Sequence, residues 1–110
     1  MFVRNRDDIA PVTYSDESRG VEMRPLITQG DGAPTFAMRV FNLEPNAYTP
    51  YHAHPWEHQV YILEGSGSVR GEDGERPLRP GDSVLVAPHE EHQFRAGGQG
   101  LQFICCASHH

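Results

Sequence analysis

Short runs of alternating apolar and polar residues recur along the chain and are separated by turn-forming residues. Alternation with a period of two is typical of β-strands with one buried face, and clusters of Gly, Pro, Asn and Asp indicate turns. The breaks read TQGDGAP, EPN, HPWE, GEDGERPLRPGD, PHEE and GGQG. The pattern predicts eight strands, at residues 21–27, 35–43, 49–54, 58–65, 67–72, 82–87, 92–96 and 101–107.

The spacing of these strands predicts an all-β fold. No window keeps an apolar period of 3.6 residues, so we expect no long helix. Many short strands joined by turns predict an antiparallel sandwich or a small barrel. The 110 residues fit one domain, which we place at residues 21–110, preceded by a polar arm at residues 1–20.

Apolar residues on both faces of one predicted strand indicate a homodimer. Tyr61 and Leu63 alternate with Val60 and Ile62, so the outer face of a small barrel would be covered by a second copy. We expect the N-terminal arm to pack on that partner subunit.

Composition and charge exclude several classes of protein. The formal net charge of −6 argues against a nucleic-acid partner, and no stretch approaches the ~20 apolar residues of a membrane span. The first residues lack a signal-peptide apolar segment, which predicts a cytoplasmic protein. Cys105 and Cys106 are adjacent, and a bridge between them would be strained, so we expect two reduced thiols.

Three histidines lie within the seven residues HAHPWEH, at positions 52, 54 and 58. If residues 49–54 and 58–62 are strands joined by the PWE turn, His52 and His54 point the same way, about 6.5–7 Å apart along the backbone. His58 then shares a face with apolar residues of the next strand. Three imidazoles entering one cavity predict a metal site, because imidazole suits Mn, Fe, Co, Ni, Cu and Zn.

A helical arrangement is the first alternative for this segment. His54 and His58 are four residues apart, and Pro55 suits a first helical position. The run VYIL, however, favours a strand, and Gly65 would end such a helix after about two turns. His52 would also lie outside the helix. Strands are therefore favoured.

A surface loop whose histidines only titrate is the second alternative. That interpretation suits a lone histidine, and we apply it to His89, His109 and His110. The terminal Ser108, His109 and His110 also fit the start of a purification tag, so they carry no functional argument. For the three clustered histidines a surface loop is less favoured, because protonated imidazoles placed close together would repel one another.

The spacing around these histidines resembles the first motif of the cupin family. That motif is Gly, five residues, His-x-His, three or four residues, Glu, six residues and Gly. Here Asn46, the pair His52 and His54, then His58 and Gly65 follow this spacing. Asn46 replaces the first glycine, and Asn also accepts left-handed backbone conformations. His58 replaces the glutamate ligand.

The segment GDSVLVAPHEEHQFRA resembles the second cupin motif, which is Gly, five residues, Pro-x-Gly, two residues, His, three residues and Asn. Gly81 and His92 have the usual separation. Pro88 falls one position late, the internal glycine is absent, and Ala96 stands where Asn is usual. The ligand carried over from this motif is His92.

The resemblance implies a cupin barrel, which is a double-stranded, jelly-roll-like β-helix. EPNAYTPYHAHPWEHQVYILEG is especially similar to small bacterial cupins that bind a metal through four histidines. It implies the ligands His52, His54, His58 and His92, with Mn or Fe as the first choice and Cu, Ni, Co or Zn able to compete.

Four neutral imidazole ligands would leave the full +2 charge on the ion and favour the lower oxidation state of a redox metal. An octahedral ion would keep two open positions, whereas zinc closed tetrahedrally by four histidines would be structural. We favour the open form. Because the ligands must be neutral, we expect metal to be lost below about pH 6.

The leading functional hypothesis is a metal-dependent oxidoreductase of dioxygenase type that activates dioxygen or peroxide at this site and acts on a small molecule. One alternative is a cupin that binds a small molecule or a metal without turnover. The other is an isomerase or lyase that uses the ion as a Lewis acid. The fold does not decide among them.

Three further residues are candidates for the pocket. The resemblance places Arg39 on a strand lining the cavity, where it would hold a substrate carboxylate or phenolate, although a surface arginine is an equal alternative. Phe103 and Cys105 share the apolar face of the last strand, so they line the pocket or pack in the core. Glu57 either orients a ligand imidazole or is solvated.

Overall fold

Seven antiparallel strands build a barrel in a computed structural model that describes residues 1–14 and 17–109. Hydrogen-bonded neighbours follow the order β1-β2-β3-β7-β4-β5, and β6 pairs with β4. Two 3-10 helices, Arg6–Asp8 and Gln29–Asp31, are the only helical turns of the described residues. The all-β prediction is confirmed. The strands are β1 (Val12–Tyr14), β2 (Arg19–Ile27), β3 (Phe36–Tyr48), β4 (His58–Gly71), β5 (Gly74–Leu78), β6 (Ser83–Val86) and β7 (His92–Ser108).

Strands β4 and β7 pair along nearly their whole length and form one long ribbon. At one end His58 lies opposite Ala107, and at the other Gly71 lies opposite His92. A straight strand of the 14 residues of β4 would span about 43 Å. The side chains of His58 and His92, at opposite ends of the ribbon, nevertheless lie 5.5 Å apart between ring centroids. The ribbon is therefore strongly curled.

Glycines allow this curl where the two backbones approach closely. The register between β4 and β7 shifts on both sides of Gly65, and such bulges bend a strand and increase its twist. Gly65 has a φ of 89°, and a Cβ there would lie 2.1 Å from the carbonyl oxygen of Gly100. A Cβ on Gly67 would lie equally close, at 2.1 Å, to the carbonyl oxygen of Arg95. No other residue type fits at these two positions without moving the backbone.

The apolar core fills the inside of the curled sheet with alternate residues of β2, β3, β4 and β7. Leu43 and Ile62 are the largest fully buried side chains. Burial of one such side chain contributes about 1.5–3 kcal/mol relative to exposure. The core cluster includes Val21, Leu43, Ile62, Leu101 and Phe103.

Residues 49–54, predicted as a strand paired with 58–62, form no strand, and this prediction is wrong. The segment instead runs beside the start of β7, where His52 and His92 form an isolated antiparallel bridge. Pro50 explains the difference, because a residue without a backbone N–H cannot contribute to a continuous ladder.

The other differences concern where strands begin and end. The predicted pairs 58–65 with 67–72, and 92–96 with 101–107, are the single strands β4 and β7. Their glycines lie in bent strands and not in loops. Strands β1 and β5 were not predicted, because three residues and a polar segment give little alternation.

The described part of the N-terminal arm contacts its own chain. Val12 of β1 pairs with Met23 of β2, and Arg4 forms an ion pair with Asp31 at 2.9 Å. Residues 15 and 16 of the arm, and His110, lie outside the described residues. Packing of the arm on a partner subunit stays a prediction. No helix in the described ranges is long and apolar enough to cross a membrane.

Candidate metal centre and its cavity

The four predicted ligand histidines lie together at one site. Ring centroids are 4.4 Å apart for His52 and His54, and 4.9 Å apart for His52 and His92. His58 lies 5.1 Å from His54 and 5.5 Å from His92 by the same measure. The structure therefore brings together the two ends of the curled ribbon and the segment between β3 and β4.

Backbone hydrogen bonds fix the loop that carries His52 and His54. The N–H of His52 donates to the carbonyl of His92 at 3.1 Å, and the N–H of His92 donates back at 2.9 Å. The N–H of His89 donates to the carbonyl of His54 at 2.6 Å. Thr49 anchors the start of the loop, since its hydroxyl accepts from the N–H of Phe94 at 2.9 Å. The loop is thus tied to the turn before β7 and to β7 itself.

Two non-glycine residues in this region adopt left-handed backbone conformations. Asn46 has a φ of 65°, which confirms the reason given for its place in the first motif. His89 has a φ of 64° and stands where the second motif has its internal glycine. The side chain of His89 is exposed, as expected. Its role was missed because the backbone, and not the imidazole, contacts the site.

The environment keeps at least two of the four imidazoles neutral. Burial lowers the pKa of His52 from 6.5 to about 4, with smaller contributions from the neighbouring His54 and His92. Burial likewise lowers the pKa of His58 to about 4, helped by His92, His54 and the guanidinium of Arg39. A metal ligand must be an unprotonated imidazole, so these shifts fit a metal centre.

Hydrogen bonds at the ring nitrogens also fit metal binding. Nδ1 of His92 lies 2.9 Å from the carbonyl oxygen of Glu90. Because a carbonyl only accepts, Nδ1 carries the proton and Nε2 keeps its lone pair. Nδ1 of His58 lies 3.4 Å from Sγ of Cys105, and its Nε2 is buried without a hydrogen-bond partner. A buried ring nitrogen that has no hydrogen-bond partner and lies beside three other imidazoles is suited to bind a metal ion.

The four histidine side chains are near one another, but their nitrogens do not surround a common metal position. Within residues 1–14 and 17–109, no three His, Cys, Asp or Glu side chains have donor atoms already placed as a metal site needs. Nitrogens that share an ion lie about 3 Å apart. The four rings are nevertheless neighbours, with centroids 4.4 Å apart for His52 and His54 and 5.5 Å apart for His58 and His92.

An apolar cavity of about 230 Å³ opens beside the histidines and has all four in its wall. Aromatic rings line it in a stack: Phe41 lies 5.2 Å from Phe103, and Phe103 lies 4.7 Å from Phe94, between ring centroids. Tyr14 of β1 extends the stack at 6.4 Å from Phe41. Tyr14 was not predicted, because it lies in a segment that was assigned to the arm.

The structure places Arg39, Phe103 and Cys105 in the wall of this cavity. Arg39 and Cys105 lie opposite each other on β3 and β7, with Nη2 3.7 Å from Sγ. Burial raises the pKa of the Cys105 thiol, although the nearby Arg39 acts in the other direction. Cys105 is therefore a neutral thiol, and both cysteines are free.

Two residues of the turn between the ligands differ in their contacts. The indole of Trp56 stacks on the imidazole of His54, with centroids 4.7 Å apart and planes inclined by 10°. Glu57 is exposed, and its carboxylate accepts a hydrogen bond from Gln59 at 3.4 Å. Of the two interpretations of Glu57, the solvated carboxylate fits this contact.

Comparison with known proteins identifies the family and the fold of this chain. The sequence profile of the family described as "Cupin domain" matches residues 39–106. The polyketide cyclase RemF from Streptomyces resistomycificus superposes with a TM-score of 0.91 and 32% identity, covering 98% of this chain and 79% of that chain.

Two curated proteins are similar in sequence. Protein SchB of Streptomyces halstedii is 32% identical over 94 residues, which is 84% of this chain; the chain spans 65% of the length of that relative. The L-ectoine synthase of Mycolicibacterium gilvum is 28% identical over 95 residues, covering 84% of this chain and 72% of that protein.

Proposed function

Because this chain belongs to the cupin domain family, we propose that it is a metal-dependent enzyme that closes a ring in a small carbonyl compound. His52, His54, His58 and His92 would hold the divalent transition metal. Mn and Fe remain the first candidates, and imidazole also accepts Co, Ni, Cu or Zn. One observation carries the proposal: four clustered imidazoles share the wall of an aromatic cavity with a guanidinium.

The residues of the cavity suit a flat, conjugated substrate. When bound, a divalent ion supplies Lewis acidity that polarises a carbonyl oxygen. Phe41, Phe94 and Phe103 line the cavity, so a planar carbonyl compound there would pack against apolar rings that shield it from water. The guanidinium of Arg39 faces the same space and stabilises negative charge on an enolate or phenolate oxygen.

The reaction that these parts serve is redox-neutral. A carbon–carbon bond forms between an enolate carbon and a carbonyl carbon of the same molecule. The proton that leaves the first carbon ends on the oxygen of the second, so no external oxidant or reductant takes part. Similarity to a polyketide cyclase supports ring closure. Neither that name nor the name L-ectoine synthase denotes an oxidoreductase.

A dioxygenase-type oxidoreductase is the second candidate function. It is favoured by the replacement of the usual glutamate by His58, since four neutral ligands stabilise a reduced ion. A protein that binds a small molecule without turnover is the third. Dependence on oxygen and on the identity of the metal separates the three.

The test uses untagged protein purified without a chelating column and loaded with Mn²⁺, Fe²⁺ or Zn²⁺. A synthetic linear triketone is the probe, and loss of the open chain is followed by chromatography under nitrogen and in air. Equal turnover under nitrogen, with zinc as effective as manganese, supports ring closure. Oxygen consumption in step with turnover, together with inactivity of the zinc form, would instead establish an oxidoreductase. Tight binding without product would identify a binding protein.

An exposed apolar patch on the outside of the barrel supports a homodimer. The side chain of Leu85 is 64% exposed and that of Tyr61 is 50% exposed. They surround a shallow depression together with Ile104 and Cys106. We call these four residues the outer patch. Covering it with a second copy would remove apolar surface from water on three strands, β4, β6 and β7.

A further inference from the structure

Arg39 lies in the wall of the cavity, where none of the described residues gives its positive charge an anionic partner. It lies on β3 directly opposite Cys105 of β7. Among residues 1–14 and 17–109, no carboxylate lies within ion-pair distance of its guanidinium. The four ion pairs of this part of the chain involve other arginines.

The contacts that Arg39 does make leave donors free. Its Nη2 donates to Sγ of Cys105 at 3.7 Å, which is a long and weak hydrogen bond. Its guanidinium carbon lies 5.3 Å from the ring centroid of Phe41, as in a cation–π contact. Its Nε is buried and has no hydrogen-bond partner. Its planar guanidinium carries a full positive charge and five N–H donors.

A buried charged donor without a partner is costly, and the cost is recovered when an anion binds. Cation–π and thiol contacts explain the orientation of the side chain but do not neutralise its charge. The neighbouring histidines cannot do so either, because an imidazole side chain does not supply a negative charge. The missing partner is therefore expected to come from a ligand.

The volume and shape of the cavity limit that ligand. A cavity of about 150 Å³ lined by apolar residues accommodates one benzene ring, and this cavity measures about 230 Å³. The space holds at least one six-membered ring with a small polar substituent. Phe94, Phe103 and Phe41 line the cavity, so the walls around such a ring are aromatic.

We propose that Arg39 is the anion-binding end of the cavity, and that the ligand enters with a ring bearing a carboxylate, enolate or phenolate oxygen directed at this guanidinium. The proposal rests on the proposed function in taking this cavity as the substrate site. Arg39 acts there as a positioning and charge-stabilising residue. Sγ of Cys105 contacts both Arg39 and His58, so the oxyanion would lie one side chain away from the histidine cluster.

The test measures binding of benzoate and of benzamide, its neutral isostere, to the full chain in the presence of a chelator. Arg39→Gln is expected to weaken benzoate binding about tenfold or more and to change benzamide binding less than twofold. Arg39→Lys keeps the charge but loses the planar fork, so it should be intermediate. Arg95→Gln is the matched control: it removes the same charge from an exposed residue paired with Glu75 and should change neither.

Three results would overturn the proposal. They are unchanged benzoate binding in Arg39→Gln, equal weakening of benzoate and benzamide, and no benzoate binding to the wild-type chain at millimolar concentration. If Arg39→Gln does not fold, the Nε–H resonance of Arg39 in the wild-type chain decides, since benzoate and not benzamide should shift it. Because no metal is present, failure here is distinct from failure of the metal-dependent ring closure.

Discussion

The indole of Trp56 lies nearly parallel to the imidazole of His54, with ring centroids 4.7 Å apart. Trp56 is also the single tryptophan of the chain. Its fluorescence therefore reports on one place in the molecule, which is the candidate metal centre.

Binding of Mn²⁺ or Cu²⁺ is expected to quench this fluorescence, because these paramagnetic ions would lie one imidazole away from the indole. Titration of chelator-treated protein should give saturation at one ion per chain. His92→Ala should abolish the response, whereas His89→Gly, which removes a histidine outside the cluster, should keep it. Metal bound at one equivalent without any change in emission would place the ion elsewhere.

Replacement of His58 tests both the ligand set and its charge. His58→Leu and His92→Ala should each reduce metal content, measured after purification without a chelating column, by about tenfold or more. His58→Glu restores the carboxylate that the family motif usually has, so metal should be retained. The added negative charge should slow ring closure by weakening the Lewis acid. Full metal content in His58→Leu would remove His58 from the ligand set.

The lowered pKa values of His52 and His58 predict a pH dependence of stability for the metal-free protein. In the unfolded chain both rings titrate near 6.5, and in the folded chain near 4. Between these values the unfolded chain binds protons that the folded chain does not. The contribution of these two rings to the free energy of unfolding is therefore greatest above about pH 6.5, and it decreases as the pH falls towards 4.

We expect a loss of about 1–3 kcal/mol across this range. Urea unfolding at several pH values measures it, and His52→Gln combined with His58→Gln should flatten the profile. A stability that rises on acidification would contradict the burial of these imidazoles.

The outer patch predicts a dimer that a single charge disrupts. Leu85→Glu or Tyr61→Glu should convert a dimer into a monomer, because each places a carboxylate on apolar surface that the partner covers. Light scattering after gel filtration gives the mass. Gln99→Glu, at an exposed site outside the patch, is the control. A wild-type monomer at micromolar concentration would refute the dimer.

Because His89 has a left-handed backbone conformation, we expect the variant with glycine at this position to be more stable than the variant with valine. His89→Gly should be tolerated or slightly stabilising, whereas His89→Val should cost about 1–2 kcal/mol, because a β-branched residue is strained at a φ of 64°. Thermal unfolding compares the two. Since the N–H of His89 holds the carbonyl of His54, the valine variant should also bind metal more weakly. Equal stability of both variants would show that the turn relaxes.

The sequence alone was sufficient to predict the all-β class and the five main strands, because alternation and turn residues are local signals. The clustering of His52, His54, His58 and His92 followed from the family resemblance. What could not be predicted is set by contacts distant in sequence. The pairing of residues 49–54 with β7, and not with β4, depends on Pro50 and on partners some forty residues later. Tyr14 reaches the cavity only because β1 folds back on β2.

The curled ribbon of β4 and β7 makes the candidate centre a property of the completed fold. His58 and His92 stand at opposite ends of that ribbon, so their rings meet only when the bend at Gly65 and Gly67 has formed. A partly folded chain would present these imidazoles far apart and bind metal weakly. Metal bound across the two ends would then lock the curl closed, and its affinity would appear directly as resistance to unfolding. Loss of the ion in the cell would therefore weaken the contact between the two ends of the ribbon and destabilise the barrel.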